Sequence, residues 1–504
     1  MVIPLLQKWF TEGRLPQAVL MGILLGIGFI VPSLWWISVV ALVWSLHALK
    51  TSTSYGQAIK LFLLVWWIKS LCSLSWYVST YPINWLGIEN HTYQIILVGV
   101  YWFTSSLWLA LGGIILALVG RFLFLHNYVP EVVWYCSMPL LWVLCELISG
   151  LTFALFSYGP GSIVDFYFVS FGMVGYLLGT SSLGVWLASV KGVYGLSFIL
   201  VSTACLMLLL IETKRIKCLT LFFIVVAILS VWSSQRQLLY TNLGVTVVSV
   251  DTQFDAILLN YKEGEQIKVD TIRIAIDQAV ELAPTFVLLP EDSRYLYSQY
   301  NSLYPDQAMS MFLFTHKNTE TILIDSGRHV TENGATVLRA NVFDGVSKKM
   351  WQFDKQYLVP QGEYIPYLYQ TVFSILGFKS SVEEIAKDSA YRPGPLLQTS
   401  SLPAYIPGVL FCFESISPTG VPKLEQSRRV PFVAHPISHT WFHDSVVLGQ
   451  QLDVMLQLQA RYSGVPIVSA GNMAIGKLYL PNGVIESGRV IRKGERYQLR
   501  EFKF

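Results

Sequence analysis

The sequence predicts two unlike domains in tandem: a polytopic α-helical membrane domain over residues 1–235 and an α/β domain over 241–504. Three observations carry this. Of 504 residues, 53% are hydrophobic and 13% charged, with a mean hydropathy of +0.50, too apolar for an ordinary water-soluble protein. The charges are unevenly placed: residues 1–235 hold ten Lys or Arg and six Asp or Glu, leaving 25 and 26 to the other 269 residues. Strand-like and helix-like runs alternate through the second half. The net charge of +3 is too small and dispersed to argue for a nucleic-acid partner.

A bilayer core takes about 20 apolar residues per helix. Runs at 17–32, 33–49, 57–79, 93–120, 133–155, 193–211 and 216–233 fit that requirement, the first two meeting at Pro32-Ser33 as a tight hairpin. The first run is not a cleaved signal peptide, because six more follow and no small-residue cleavage site intervenes. An eighth run, 168–189, is broken by Gly179-Thr180-Ser181-Ser182-Leu183-Gly184. Cytoplasmic loops collect Lys and Arg. With Lys8 and Arg14 inside, Lys50, Lys60 and Arg121 also fall inside, and the 80–92 loop, free of Lys and Arg, falls outside. Lys214, Arg215 and Lys217 join the inside set only if 168–189 does not cross. Seven crossings are therefore expected, with 156–192 an outer-face or re-entrant segment and everything after 234 outside the cytoplasm. Lys69 and Glu146 interrupt apolar runs. Such residues are either functional or held by a polar partner, and the second is expected here.

In the second half, a strand opens at 242–250 and a helix spans 265–283, with Ile272, Ile276, Ala279 and Val280 on one face. Strands follow at 285–290 (TFVLLP), 405–413, 431–434 and 465–470, with a helix at 444–462 before the last. Residues 373–403 look like an irregular insertion.

The reactive residues fall at strand ends. Glu291 follows TFVLLP, and Cys412 closes the 405–413 run. Sites in open α/β sheets gather beyond the carboxyl ends of strands. A thiol there is either core packing or a nucleophile, and a nucleophile needs a base and a group to stabilise the oxyanion. Glu291 is the candidate base and Lys355, in FDKQYLVPQGEYIP, the candidate cation; no papain-like His–Cys arrangement is apparent. The other five cysteines, Cys72, Cys136, Cys145, Cys205 and Cys218, lie in or beside apolar runs, so no disulfide framework is expected. His435, His439 and His443 have four-residue spacing, but Pro436 interrupts a helix and no HExxH accompanies them. No metal and no cofactor is expected.

An apolar first half followed by Pro290-Glu291, Lys355 with LVPQGEYIP, and Cys412-Phe413-Glu414 resembles the apolipoprotein N-acyltransferase family, bacterial membrane enzymes carrying a nitrilase-like (carbon-nitrogen hydrolase) domain. The resemblance covers nearly the whole chain and is strongest at 354–366, where Gln361 replaces the usual Phe. GVYGLS at 192–197, LLWVLCE at 140–146 and TWFHDS at 440–445 are also similar. It implies an αββα sandwich on the outer face of the inner membrane and a Glu-Lys-Cys triad. Glu291 would be the general base and acid, Lys355 the oxyanion stabiliser and Cys412 the nucleophile. Glu363 would be a second essential carboxylate and Glu414 a supporting acid, with Tyr364, Phe413 and Trp441 the aromatic candidates for touching substrate. The implied activity is ping-pong transfer of an acyl group from a phospholipid to the α-amine of a diacylglyceryl-modified lipoprotein. A membrane-tethered amidase, a transferase using another amine, and a non-catalytic lipoprotein-binding scaffold are the rival readings. The departures surround the chemical centre. Phe413 stands for Tyr, Asp251-Thr252-Gln253 for Gln-Gly-Asn, Ser438-His439 for Asn-Asp, His443 for Gly, and Ala154-Leu155-Phe156-Ser157 for a Phe-Pro-Trp stretch. Tyr261 is the nearest candidate for a downstream Trp. The chain also ends at Phe504 without the family's last transmembrane helix.

Overall fold

The computed structural model describes residues 14–504 apart from 84–87, 89, 126–129, 164–168, 236–243, 260–261, 297–304, 318, 332–333, 376–390, 395–401, 428 and 444. Tyr261 and most of the 373–403 insertion lie outside the described residues.

The first half is a helical bundle of α1 (Arg14–Ile30), α2 (Trp35–Lys50), α3 (Tyr55–Ser73), α4 (His91–Leu125), α5 (Glu131–Phe156), α6 (Gly175–Leu178), α7 (Ser182–Leu187), α8 (Gly192–Glu212) and α9 (Ile216–Gln235). Among the described residues, four helices, Pro32–Lys50, His91–Phe124, Glu131–Phe156 and Gly192–Glu212, are long and apolar enough to cross a membrane, and Leu15–Ile30 and Lys217–Ser233 are shorter apolar helices. The run expected at 57–79 divides: α3 stops at Ser73 and a 3-10 turn covers Ser75–Thr80. Small residues let the helices approach closely. A β-carbon on Gly112 of α4 would lie 2.1 Å from the Cys145 carbonyl oxygen of α5. Among its described residues, the 168–189 stretch holds two short helices, α6 and α7, neither long enough to span a bilayer. Lys69 and Glu146 are both buried and have polar partners in that stretch: Lys69 Nζ donates to the Gly172 carbonyl (2.9 Å), and Glu146 Oε1 accepts from the Val174 amide (2.8 Å).

The second half is α/β. Its strands are β1 (Thr246–Thr252), β2 (Phe286–Leu288), β3 (Ile322–Val330), β4 (Thr336–Asp344), β5 (Lys349–Asp354), β6 (Gly408–Val409), β7 (Val433–Ser438), β8 (Ile467–Asn472), β9 (Leu478–Tyr479), β10 (Ile485–Glu486), β11 (Arg489–Lys493) and β12 (Tyr497–Lys503). One side runs β11-β12-β1-β2-β3-β4-β5 and the other β6-β7-β8-β9-β10; they join through one parallel pair, Thr252 with Asn472. Asn472 secures the junction, accepting from Thr252 Oγ1 and the Phe254 amide, each at 2.9 Å, and donating to the Phe254 carbonyl.

Strand alternation sorts the side chains into three layers. Val247, Phe286, Leu288 and Ile324 from one side meet Phe432, Ala434, Val468 and Ala470 from the other, with the Phe286 and Phe432 rings 4.9 Å apart. The opposite-facing Val248, Val250, Val287 and Leu323 pack under α10 (Lys262–Val280) and α11 (Pro305–Thr315). Val433 and Ile467 pack under α12 (Gly420–Ser427) and α13 (Val446–Ser463). Helix, sheet, sheet, helix is the order that the resemblance implies. The β3–β4–β5 meander and the β11–β12 hairpin are additional to the strands that periodicity marks.

One expected element is much shorter than its apolar run. Residues 405–413 pair only at Gly408 and Val409 of β6; the Leu410 amide still reaches the Ala434 carbonyl (3.0 Å), but the Phe411 amide is taken by the Glu414 carboxylate (2.7 Å). That contact turns the chain out of the sheet into a 3-10 turn, Cys412–Ile416.

Candidate active site

Three chain segments converge beyond the ends of β2, β5 and β6. Glu291 follows β2, its amide directed at the Ile437 carbonyl of β7 (3.4 Å). Lys355 follows β5, its amide held by the Leu338 carbonyl (2.8 Å). Cys412 opens the turn after β6.

Lys355 is completely buried, and its Nζ donates to Glu291 Oε1 and Glu363 Oε1, each at 2.8 Å. The second Glu363 oxygen accepts from the Val359 amide (2.7 Å), closing the Val359–Glu363 turn that aims this carboxylate at the ammonium. A buried charge persists only when paired and hydrogen-bonded. Burial works to lower the Lys355 pKa, but Glu291 and Glu363 outweigh it and hold the ammonium protonated. Burial raises the Glu291 carboxyl; Lys355 opposes and Glu363 adds to the rise, leaving it at about 7, in the range of a general base near neutral pH.

Cys412 is half-buried, and its S–H points at the Ser438 carbonyl at 3.9 Å, a long contact. Burial, followed by the negative charge of Glu291, pushes the thiol up to about 12, against the pull of Lys355. At rest the group is a thiol, so a nucleophilic role would need a base to take its proton. Glu291, Lys355 and Glu363 all act electrostatically on it, so the sequence-expected groups share one environment.

Glu414 is a clamp. One oxygen accepts from the Gln356 and Tyr357 amides (2.7 and 3.3 Å) and the other from the Phe411 amide (2.7 Å). It ties the residues after Lys355 to the residue before Cys412. Burial raises its carboxyl to about 6 against these amide bonds.

The aromatic candidates separate. Trp441 lies in a 3-10 turn against Gly362, where a β-carbon would stand 2.6 Å from its ring, so it bounds the Glu363 turn. Phe413 packs against the apolar cluster that the helical half shares with Tyr357, Ile416 and Leu448 of the α/β half. Tyr364 donates its hydroxyl to the Ser157 carbonyl (2.9 Å) and packs over Gly159 and Gly161, so it docks the two halves. The histidines do not converge as helical spacing would have them: His435 Nδ1 donates to the Leu410 carbonyl (2.6 Å), His443 Nε2 meets the Pro82 carbonyl (3.1 Å), and among the described residues no group of three or more His, Cys, Asp or Glu is placed to hold a metal. Burial lowers His435 to about 4, so it serves as a neutral strut behind the β6 end. Sequence reading missed the Ser438 carbonyl and the Gly362–Trp441 contact. A backbone acceptor carries no side-chain signal, and the contact joins residues 79 positions apart.

No family model matches the chain, and no curated protein matches it. Solved structures with some likeness include an amidase from Nesterenkonia sp. AN1 in complex with butyramide (14% identity over 52% of this chain and 91% of that one, TM-score 0.34). Another form of that enzyme shows covalent addition of the acetamide moiety of fluoroacetamide at its active-site cysteine (15% identity, 53% and 92%, TM-score 0.36). A further mutant of it is described as an amidase from the nitrilase superfamily (14% identity, 52% and 92%, TM-score 0.34). At these identities and scores the likeness carries no weight for function, which rests on the distances above.

Proposed function

We propose that this chain is a membrane acyltransferase that carries a fatty acyl group on Cys412, from a phospholipid to the α-amine of a diacylglyceryl-modified lipoprotein. The observation that carries the reading is the buried Lys355 ammonium held between Glu291 and Glu363 at 2.8 Å each, with the Cys412 thiol in its field. The surroundings favour a lipid substrate. Phe413, in the cysteine's turn, and Phe442, in the turn after Ser438, pack against an apolar cluster that joins the two halves, and Phe442 meets Trp76 of the helical half edge-on. Exposed apolar side chains such as Ile95, Leu140, Phe223 and Ile228 on those helices suit a hydrocarbon environment.

In the first step Glu291 takes the Cys412 proton as sulfur attacks an ester carbonyl. The oxyanion develops beside Lys355, whose ammonium stabilises it. The tetrahedral adduct collapses, Glu291 returns the proton to the departing oxygen, and a lysophospholipid leaves with a thioester on Cys412. In the second step the lipoprotein amine attacks the thioester, Glu291 accepts the amine proton, and the amide leaves as the thiol re-forms. Glu363 holds Lys355 in place throughout, and Glu414 holds the two loops in register. The helices span the bacterial inner membrane with the α/β half on the periplasmic side, the orientation that the Lys and Arg distribution favours.

The test is intact-mass spectrometry after incubation with phosphatidylethanolamine, with Cys412→Ala in parallel. An acyl-sized gain that hydroxylamine removes and the variant lacks supports the thioester. No adduct on folded protein, with turnover of soluble amides, moves the assignment to a membrane-tethered amidase using water as acceptor.

A further inference from the structure

The chemistry above uses no ionisable side chain of the helical half. Yet Lys69 of α3 and Glu146 of α5 are each only 3% exposed, and both reach the same short segment, 169–174. Lys69 Nζ donates to the Gly172 carbonyl (2.9 Å) and lies 4.3 Å above the Trp66 ring. Glu146 Oε1 accepts from the Val174 amide (2.8 Å) and from Trp142 Nε1 (3.1 Å). The two charges act on each other electrostatically. So anchored, 169–174 is buried throughout, with Gly172 in the left-handed region at φ +77°. The Gly175 amide extends the anchoring to Ser197 of α8 (2.9 Å).

The other side of the segment meets the nucleophile's turn. Ser170 Oγ donates to the carbonyl of Ile416, the last residue of Cys412–Ile416, and shares a hydrogen bond with the Tyr176 hydroxyl (2.7 Å). Phe171 packs on Trp76 (5.4 Å between ring centres), and Trp76 packs edge-on against Phe442 (5.4 Å), in the turn that follows Ser438. Ser438 provides the carbonyl at which the Cys412 S–H points. The segment thus supports the cysteine from two sides.

If helix packing alone were at stake, apolar side chains would serve, without the cost of burying polar groups. They would not fix a carbonyl and an amide two residues apart on an irregular segment. We propose that Lys69 and Glu146 are positioning residues for Cys412: they fix segment 169–174, which sets the 412–416 turn against Glu291 and Lys355. This rests on the reading of Cys412 as the nucleophile.

The test is the double variant Lys69→Met/Glu146→Leu, purified in nanodiscs containing phosphatidylethanolamine. The expected result is a melting temperature near the parent's, an unchanged KM for the phospholipid, and single-turnover acylation slower by about 100-fold, the scale of a 1 Å misplacement transmitted from a distance. Alkylation of Cys412 by iodoacetamide slows with it. Glu146→Gln, which keeps an acceptor for the Val174 amide, retains more of the rate than Glu146→Leu. A stable double variant that acylates and alkylates at the parent's rate overturns the proposal and leaves the pair as helix packing. If the double variant does not fold, Ser170→Ala decides: a lower acylation rate at unchanged KM supports the proposal, and a parent-like rate overturns it. Should the parent itself alkylate at Cys412 but accept no acyl group, the acyl-transfer reading fails, and the alkylation rates still decide the positioning role.

Discussion

Lys355→Met isolates the charge at the centre of the site, because methionine keeps much of the apolar stem and removes only the ammonium. In the parent that ammonium is fully buried and donates to two carboxylates at 2.8 Å each. Deleting one partner of a buried ionic group costs about 3–5 kcal/mol. Here the loss leaves Glu291 and Glu363 facing each other, and one of them relieves the repulsion by taking up a proton. A proton on Glu291 removes the base. Loss of the oxyanion stabiliser adds a further factor of about 10² to 10³ in rate. The variant is therefore expected to melt at a lower temperature and to acylate at least about 100-fold more slowly, with little change in KM for the phospholipid. The assay is single-turnover acylation of Cys412, followed by intact mass over a range of lipid concentrations, beside a thermal melt. Acylation close to the parent's rate refutes both the oxyanion role and the electrostatic account of the Glu291–Lys355–Glu363 cluster.

Glu291, raised to about 7, must be unprotonated to accept the thiol proton, so acylation should rise with pH through about 7 as the coupled cluster titrates. Glu291→Gln should lower the rate and flatten that limb; a residual rate with the limb unchanged assigns it to another group. Glu414→Ala leaves three amide donors without their carboxylate, each costing about 1–3 kcal/mol when buried, so a drop in melting temperature is expected, and an unchanged melt would count against the clamp. Gly362→Ala puts a β-carbon 2.6 Å from the Trp441 ring and should displace the Glu363 turn, lowering kcat by roughly tenfold or more; normal kcat would show that the ring yields freely. Tyr364→Phe removes a hydrogen bond to the helical half worth about 0.5–1.5 kcal/mol and should leave KM unchanged; a raised KM with an unchanged melt would return Tyr364 to the substrate-touching set.

Composition and pattern determined much of this protein. A hydrophobic run of membrane length has few alternatives to a helix, and α2, α4, α5 and α8 fall where such runs stand. Glu291 and Cys412 each stand at or near the end of an apolar run that reads as a strand, so both were visible as candidates before any contact was known. Glu363 carried no such local mark and entered only through the resemblance of 354–366. The tertiary structure decided what local pattern does not encode. An apolar run such as 405–413 reads as a strand, but a carboxylate two residues past Cys412 turns back to the Phe411 amide and ends the ladder after Val409. Tyr364 reads as a site aromatic from its neighbours, but its hydroxyl binds a carbonyl 207 positions away. Lys69 and Glu146 announce themselves as misplaced charges, and only folding reveals that both hold one segment behind the cysteine. Periodicity is set by the geometry of a helix or strand and is therefore legible along the chain. The meeting of Lys355, Glu291, Glu363 and Cys412 depends on how two sheets and a helical bundle close on one another, which no single stretch of sequence records.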